Sequence, residues 1–298
     1  MKILNFGSLN LDRVYTVAHF VQGGETETAD RLETHCGGKG LNQSVALARA
    51  GGRVLHAGCV GPDGEALTGY LRDCGVDVSR VQVLDQPTGH AVIQVTPSGQ
   101  NCILLFAGAN RCLTREAARS ALDACEPGDW LLLQNETNLT GWLAAQGAER
   151  GLKVAFNPSP ADERLKEVDF RHLSLCLFNE IEGAFLTGET QPEAILDGFR
   201  RRYPACGAVL TLGGEGACYD DGEQRLYQPA IPALAVDTTG AGDTFTGYLL
   251  AAIAAGEPPA AGLRRAAAAA SLAVSRKGAA PSIPRREEVE ESLRRMNK

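Results

Sequence analysis

The sequence predicts an α/β protein in which a mostly parallel β-sheet carries helices on both faces. Short apolar runs recur along the 298 residues, most end in polar residues or glycine, and helical patterns separate them. An alternation of strands and helices over this length is typical of a parallel sheet, because each crossover helix covers the sheet. In such folds ligands bind outside the carboxyl ends of the strands.

The individual elements follow from these runs in chain order. Short apolar runs predict strands over 3–6, 54–60, Trp130–Gln134, Lys153–Asn157, Leu175–Asn179 and 208–212. Apolar residues at helical spacing, closed by glycine in the first two cases, predict helices over 41–50, 66–74, 140–150, 192–203 and 243–255. The alanine run 266–270 is a strong helix former.

Two segments do not fit a parallel core. Residues 14–33 contain Gly23-Gly24 among alternating Thr and Glu, and residues 90–106 alternate around a Pro97-Ser98-Gly99 turn. The second pattern predicts a β-hairpin. We interpret both as a small antiparallel flap beside the sheet, although isolated surface hairpins would give the same pattern.

Composition excludes several classes of function. The formal net charge of −7 argues against nucleic acid or an anionic membrane as the main partner. The nine cysteines show neither a CxxC pair nor zinc-ligand spacing, which predicts reduced thiols and a cytoplasmic location. The first residues do not resemble a signal peptide, and no window approaches the ~18–20 apolar residues of a membrane span.

The run DTTGAGDTF, residues 237–245, carries the most specific chemistry. Gly240-Ala241-Gly242 predicts a tight turn that opens a helix, where free N–H groups and the helix dipole attract an anion. Asp243 would then face the anion, a costly position unless it accepts a proton from an attacking hydroxyl. The alternative is an ordinary acidic residue in the first helical turn.

Two glycine-containing runs near the N-terminus suggest ligand contacts. GGKGLNQ, residues 37–43, would let the backbone approach a ligand with Lys39 and Asn42 as donors, and it matches neither a P-loop nor a dinucleotide fingerprint. In GSLNLD, residues 7–12, Asn10 and Asp12 lie on one side of an extended chain. That pair suits two neighbouring sugar hydroxyls, whereas a polar strand end and an exposed lysine loop are the alternatives.

Two later strand ends suggest nucleotide and metal contacts. NEIE, residues 179–182, could organise Mg²⁺ through water, or simply cap a helix with first-turn acids. TLGGEG, residues 211–216, suits a nucleotide base or its phosphates, although a plain β-turn would look the same.

Taken in their order along the chain, these five runs resemble the ribokinase family of sugar kinases, the PfkB-type carbohydrate kinases. The resemblance covers residues 7–284. Within that family the resemblance is strongest to the ribokinases, because Asn10-x-Asp12 and GGKGLNQ occur together with RKGAAPS, residues 276–282. The resemblance implies a single three-layer α/β/α domain over 1–298, with a small antiparallel β-sheet lid formed by segments of approximately 12–36 and 88–108.

The resemblance also implies residue roles. Asp243 resembles the base that deprotonates the sugar, and Gly240, Ala241 and Gly242 resemble the anion hole for the transferred phosphoryl group. The implied sugar contacts are Asn10, Asp12, Gly38, Lys39, Asn42 and Glu136. The implied ATP contacts are Asn179, Thr211, Leu212, Gly213, Gly214, Glu215 and Gly216, together with Gly242 and Asp243. Glu182 resembles an acid that organises Mg²⁺ through water, and the implied K⁺ positions are Asp237, Thr239, Ala273, Arg276, Gly278 and Ser282.

The activity implied is transfer of the ATP γ-phosphoryl group to the primary hydroxyl of a small sugar, with D-ribose favoured. A kinase for 2-deoxyribose, a ketohexose or a nucleoside is an alternative, and a non-catalytic sugar- or nucleotide-sensing protein is another. A dinucleotide-dependent oxidoreductase lacks its fingerprint here. Ala267 departs from the His or Asn that ribokinases often place against adenine. Open lid edges suggest a homodimer.

Overall fold

The computed structural model describes residues 1–296 and has two β-sheets. The larger sheet has nine strands in the order β13-β12-β11-β10-β9-β8-β1-β4-β5. These strands are β1 (Lys2–Phe6), β4 (Arg53–Val60), β5 (Asp77–Val83), β8 (Trp130–Gln134), β9 (Lys153–Asn157), β10 (Leu175–Asn179), β11 (Gly207–Thr211), β12 (Gly216–Asp220) and β13 (Arg225–Pro229). Neighbouring strands from β11 to β5 pair in parallel, and β12 and β13 form an antiparallel edge.

Nine helices flank this sheet within the described residues. They are α1 (Lys39–Arg49), α2 (Glu65–Asp73), α3 (Arg115–Leu122), α4 (Thr140–Glu149), α5 (Glu180–Thr187), α6 (Pro192–Arg202), α7 (Ala241–Ala254), α8 (Pro259–Val274) and α9 (Arg286–Met296). Buried side chains form two cores, one with α1, α2, α7, α8 and α9, the other with α3, α4, α5 and α6. Alternate residues of β1 enter opposite cores, since Ile3 belongs to the first and Leu4 to the second. The predicted three-layer α/β/α fold is therefore confirmed.

Helix α7 is buried on nearly all sides because it packs between α1 and α8. A Cβ at Gly247 would lie 2.4 Å from the Ala46 Cβ, so glycine allows α1 and α7 to approach closely. This contact brings the GGKGLNQ and DTTGAGDTF runs to the same end of the sheet.

The smaller sheet contains the two segments that did not fit a parallel core. Its order is β3-β2-β6-β7, with β2 (Asn10–Thr16), β3 (Arg31–Gly37), β6 (Gly89–Val95) and β7 (Asn101–Phe106). The outer pairs are antiparallel as predicted, but the central pair β2–β6 is parallel, so the lid is a mixed sheet. No helix among residues 1–296 is long and apolar enough to cross a membrane.

Candidate active site

Asp243 lies in the first turn of α7, at the carboxyl end of the large sheet. The helix begins two residues before the predicted start, because Gly240 adopts a left-handed φ of 74° that ends the preceding loop. Asp243 is only 8% exposed. Asn42 Nδ2 donates to its Oδ2 at 3.0 Å and Gln43 Nε2 donates to its Oδ1 at 2.8 Å. Both carboxylate oxygens are thus oriented by α1.

A cavity of about 230 Å³ opens beside Asp243. Gly240 and Gly242 line it, as the predicted anion hole requires, whereas Ala241 faces a second cavity and donates its N–H to the Thr238 carbonyl at 3.2 Å. The remaining lining residues are Lys39, Asn157, Ser159, Leu177, Phe178, Asn179, Glu182, Thr211 and Thr246. The cavity therefore joins the GAGD turn to the ends of β9, β10 and β11.

Lys39 is the basic residue of this cavity. Burial alone would lower the pKa of its ammonium group, but the negative charges of Asp243, Glu136 and Glu182 raise that pKa above its ordinary value. The main-chain N–H of Lys39 donates to Glu136 Oε2 at 3.2 Å, and Ser8 Oγ donates to the same oxygen. Lys39 therefore stays cationic between the cavity and Glu136.

Asn10 and Asp12 lie on β2, the lid strand that pairs with β3, whose last residue, Gly37, begins the GGKGLNQ run. Asn10 Oδ1 accepts from Asn110 Nδ2 at 2.7 Å. Burial and the negative charge of Glu136 raise the pKa of Asp12 to about 7. A Cβ at Gly37 would lie 1.9 Å from Asp12 Oδ2, so only glycine leaves room for this carboxylate.

Gly38 completes the sugar-type set, with a left-handed φ of 95° and close approach to the Ser8 carbonyl. The predicted sugar contacts thus lie together where the lid meets α1. They are Asn10, Asp12, Gly38, Lys39, Asn42 and Glu136.

The second cavity, of about 570 Å³, is lined mostly by apolar side chains and glycine backbone. Gly213, Gly214 and Gly216 form one wall, and α8 forms another through Ala267 and neighbouring residues. A large, largely apolar cavity next to an anion turn suits a flat base. The Leu212 side chain instead packs in the second core, and neither it nor Glu215 is among the described lining residues of the two cavities.

Asn179 and Glu182 form a capping box at the start of α5. Asn179 Oδ1 accepts from the Glu182 N–H at 2.9 Å, and Glu182 Oε2 accepts from the Asn179 N–H at 3.0 Å. The helix-cap interpretation is therefore correct, yet both residues also line the smaller cavity. Glu182 is buried there, so its carboxylate serves the cap and the cavity wall together.

The positions suggested for a monovalent cation lie in the loop before α7, at the end of α8 and in the segment between α8 and α9. Asp237 carries two hydrogen bonds, from the Thr239 N–H at 2.9 Å and from the Gly278 N–H at 2.8 Å. Burial alone would raise the pKa of Asp237, but hydrogen bonds from Thr239 and Gly278 lower it. The Ala273 carbonyl accepts from the Arg276 N–H at 3.0 Å, and Ser282 Oγ donates to the Ala279 carbonyl at 2.7 Å. Hydrogen bonds thus join Asp237 directly to Thr239 and Gly278. The bonds made by Ala273, Arg276 and Ser282 do not reach that group.

Four polar residues of the site did not emerge from the sequence patterns. Gln43, Asn157 and Gln134 form buried hydrogen bonds that lead to Asp243, and Asn110 holds Asn10. Gln43 belongs to the GGKGLNQ run, while Gln134 and Asn157 are the last residues of two predicted strands. Gln134 and Asn157 could have been predicted as site residues, because each is a polar residue at the carboxyl end of a parallel strand.

Comparison with known proteins agrees with this geometry. The family model for pfkB family carbohydrate kinases matches residues 1–286. A ribokinase of Haemophilus influenzae is 36% identical over 301 residues, covering 96% of each chain, and a deoxyribokinase of Salmonella typhi is 31% identical over 307 residues, covering 98% of this chain and 99% of its own. The structure of Arabidopsis thaliana ribokinase complexed with ribose and ATP superposes with a TM-score of 0.87 at 32% identity, covering 98% of each chain. The chain therefore belongs to the pfkB family of carbohydrate kinases and is an ATP-dependent sugar kinase.

Proposed function

We propose that this kinase transfers the γ-phosphoryl group of ATP to the primary hydroxyl of D-ribose, giving ribose 5-phosphate. The observation that carries the proposal is the placement of Asp243. Its two oxygens accept hydrogen bonds from α1, and it borders a cavity that is also lined by the glycine turn at the start of α7.

Phosphoryl transfer depends mainly on positioning and on stabilisation of developing charge. In the proposed mechanism the sugar hydroxyl attacks the γ-phosphorus in line, Asp243 accepts its proton, and ADP leaves as the bond from the γ-phosphorus to the β,γ-bridging oxygen breaks. The N-terminal end of α7 at Gly240 and Gly242 meets the negative charge of the transferred group, and Lys39 adds a cation to the same cavity. Closure of the lid sheet would exclude water from this step.

We assign sugar binding to Asn10, Asp12, Gly38, Lys39, Asn42 and Glu136. A carboxylate and an amide projecting from one strand suit adjacent hydroxyls. ATP would place its base in the larger cavity against Gly213, Gly214 and Gly216, with Asn179 and Thr211 nearer the phosphates. Ala267 presents a methyl group to this cavity, which offers the base packing but no hydrogen bond.

The residues present fit the two metal ions of the proposal. Buried Glu182 and neighbouring Asn179 offer the oxygen ligands that Mg²⁺ prefers, beside a cavity that can hold water. Glu182 and Asn179 would hold Mg²⁺ on this wall of the cavity, where its positive charge would offset that of the phosphates. For K⁺, the Asp237 carboxylate and the carbonyls of its loop neighbours supply hard oxygen donors close to the GAGD turn.

A coupled assay of ADP release tests the substrate directly. Ribose, 2-deoxyribose, a ketohexose and a nucleoside are compared at equal ATP, with and without K⁺. We expect kcat/KM to be highest for ribose and to fall when K⁺ is replaced by Na⁺. A higher kcat/KM for 2-deoxyribose would instead favour the deoxyribokinase alternative, which the Salmonella typhi relative supports. ADP release with none of the sugars would contradict the proposal.

The lid offers a surface for a homodimer, which we propose as the solution state. Its edge strand β7 pairs only with β6 among the described strands, and its Leu104 side chain is 71% exposed. Open apolar edges favour pairing with another chain. Light scattering should give twice the mass of one chain. We also propose a cytoplasmic location, consistent with nine free cysteines among the described residues.

A further inference from the structure

We propose that Gln43 is a positioning residue, held in one orientation by a buried chain of amides so that it presents only an N–H group to Asp243. The proposal rests on the proposed function of Asp243 as the base. It concerns how the protein orients that base, which neither the motifs nor the family resemblance addresses.

The first step is the set of bonds around Gln43, which is fully buried. Its Nε2 donates to Asp243 Oδ1 at 2.8 Å and to Asn157 Oδ1 at 3.2 Å. Its Oε1 accepts from Gln134 Nε2 at 2.8 Å. Both hydrogens and the oxygen of this amide are therefore engaged.

The second step concerns the two ends of this row of hydrogen-bonded side-chain amides. At each end a main-chain carbonyl fixes which way the amide group points. Asn157 Nδ2 donates to the Leu177 carbonyl at 2.8 Å, so Asn157 must present its oxygen to Gln43. Asn5 Nδ2 donates to the Gly40 carbonyl at 2.9 Å, so Asn5 must present its oxygen to Gln134. A carbonyl can only accept, and this removes the ambiguity that an amide normally has between its oxygen and nitrogen.

The third step is the consequence for Gln43. With its amide reversed, the Gln43 oxygen would face the oxygens of Asp243 and Asn157, and its nitrogen would face the Gln134 nitrogen. All three contacts would be unfavourable in a buried environment, where an unmet polar group is costly. Gln43 therefore always donates to Asp243, and this bond holds the Oδ1 oxygen of the proposed base in one position.

Two variants of Gln43 distinguish a role in orienting Asp243 from a role in filling space. Gln43→Glu keeps the shape but places a second carboxylate against Asp243, whereas Gln43→Met removes the donor without adding charge. If Gln43 only fills space, Gln43→Glu is the milder change; if it orients the base, Gln43→Glu is the more harmful. Lys39, Glu136 and Glu182, the other charged groups that act on this cavity, stay in place in both variants.

The measurement is kcat and KM for ribose and ATP between pH 5.5 and 9, with a thermal melt of each protein. We expect kcat to fall about 10- to 100-fold in Gln43→Met, the effect of one hydrogen bond to a charged group, with the ATP KM nearly unchanged. Gln43→Glu should lose more kcat than Gln43→Met above pH 7, because its carboxylate adds a negative charge beside Asp243. Gln134→Met, which does not touch Asp243, should show the same trend more weakly. The exposed Gln191→Glu is the control for a change of charge and should match the wild type.

Two results would overturn the inference: a Gln43→Glu enzyme with wild-type kcat and pH profile, or one milder than Gln43→Met. Should Gln43→Met fail to fold, Gln43→Glu and Gln134→Met decide by the same criteria. Asp243→Asn belongs in the same series. If Asp243→Asn is inactive while the Gln43 variants behave as wild type, only the positioning role of Gln43 is refuted. If Asp243→Asn keeps its turnover, the assignment of Asp243 as the base fails.

Discussion

Asp12 occupies a position that opposes folding, and exchanging it for asparagine should reveal the cost. Burial and the nearby charge of Glu136 raise the pKa of Asp12 from 3.8 to about 7. Between these two values the folded state binds a proton that the unfolded state does not. The free energy of unfolding must then fall as pH rises through this window, and the cost is complete above pH 7 and absent below pH 3.8.

The size of the effect follows from the pKa difference of about 3 pH units. At about 1.36 kcal/mol per unit the limit is about 4 kcal/mol. Because Asp12 keeps some contact with water, screening reduces this, and we expect about 2 kcal/mol. Asp12→Asn keeps the shape and removes the charge, so it should stabilise the protein by about 2 kcal/mol at pH 8.5 and by less than 1 kcal/mol at pH 5.

Urea denaturation followed by tryptophan fluorescence at the two pH values measures this difference. A change in packing would be the same at both pH values, so only the pH-dependent part reports the charge. The exposed Asp85→Asn is the control and should show no such dependence. The same Asp12 variant should raise the KM for ribose far more than the KM for ATP. An equal stability change at pH 5 and pH 8.5 would refute the argument, and equal effects on both KM values would refute the sugar contact.

Three further predictions concern other parts of the site. Asp243→Asn should lower kcat by ~10²–10⁴-fold with little loss of ATP binding by calorimetry, and near wild-type turnover would remove it from the mechanism. Gly37→Ala should raise the ribose KM about 10-fold or more, because its Cβ would displace the Asp12 carboxylate. Gly23→Ala, with open space around it, should leave the ribose KM unchanged. The same ribose KM in both variants would contradict this packing. Ala267→Leu should raise the ATP KM several-fold and leave the ribose KM unchanged, since it fills the larger cavity; an unchanged ATP KM would place the base elsewhere.

The strands at the centre of the sheet were predictable because they are buried on both faces. Trp130–Gln134, Lys153–Asn157 and Leu175–Asn179 match the predicted bounds, since an unbroken apolar run ending in a polar residue marks such a strand clearly. The antiparallel edge formed by Gly216–Asp220 and Arg225–Pro229 was not predicted, because half-exposed strands mix polar and apolar residues.

Pairing between distant segments was less accessible from the sequence. The lid strands β2 and β6 are separated by most of the first hundred residues, and their parallel pairing depends on the fold around them. The same limit applies to Asn110, which holds Asn10 from 100 positions away. Glycine motifs and strand ends could indicate residues that line the two cavities, but not the buried amides that bind Asp243 and Asn10.

Two polar side chains of the site are unfavourable for folding alone, which is consistent with selection for ligand binding. Asp12 carries a partly buried carboxyl group, and burial disfavours its charged form. Asn42 adds a further cost: it is 5% exposed, and its Oδ1 has no hydrogen-bond partner although its Nδ2 binds Asp243. An unmet buried acceptor costs about 1–3 kcal/mol. A ribose hydroxyl donating to Asn42 Oδ1 would recover that energy on binding, and the same amide would then join the sugar to the Asp243 carboxylate.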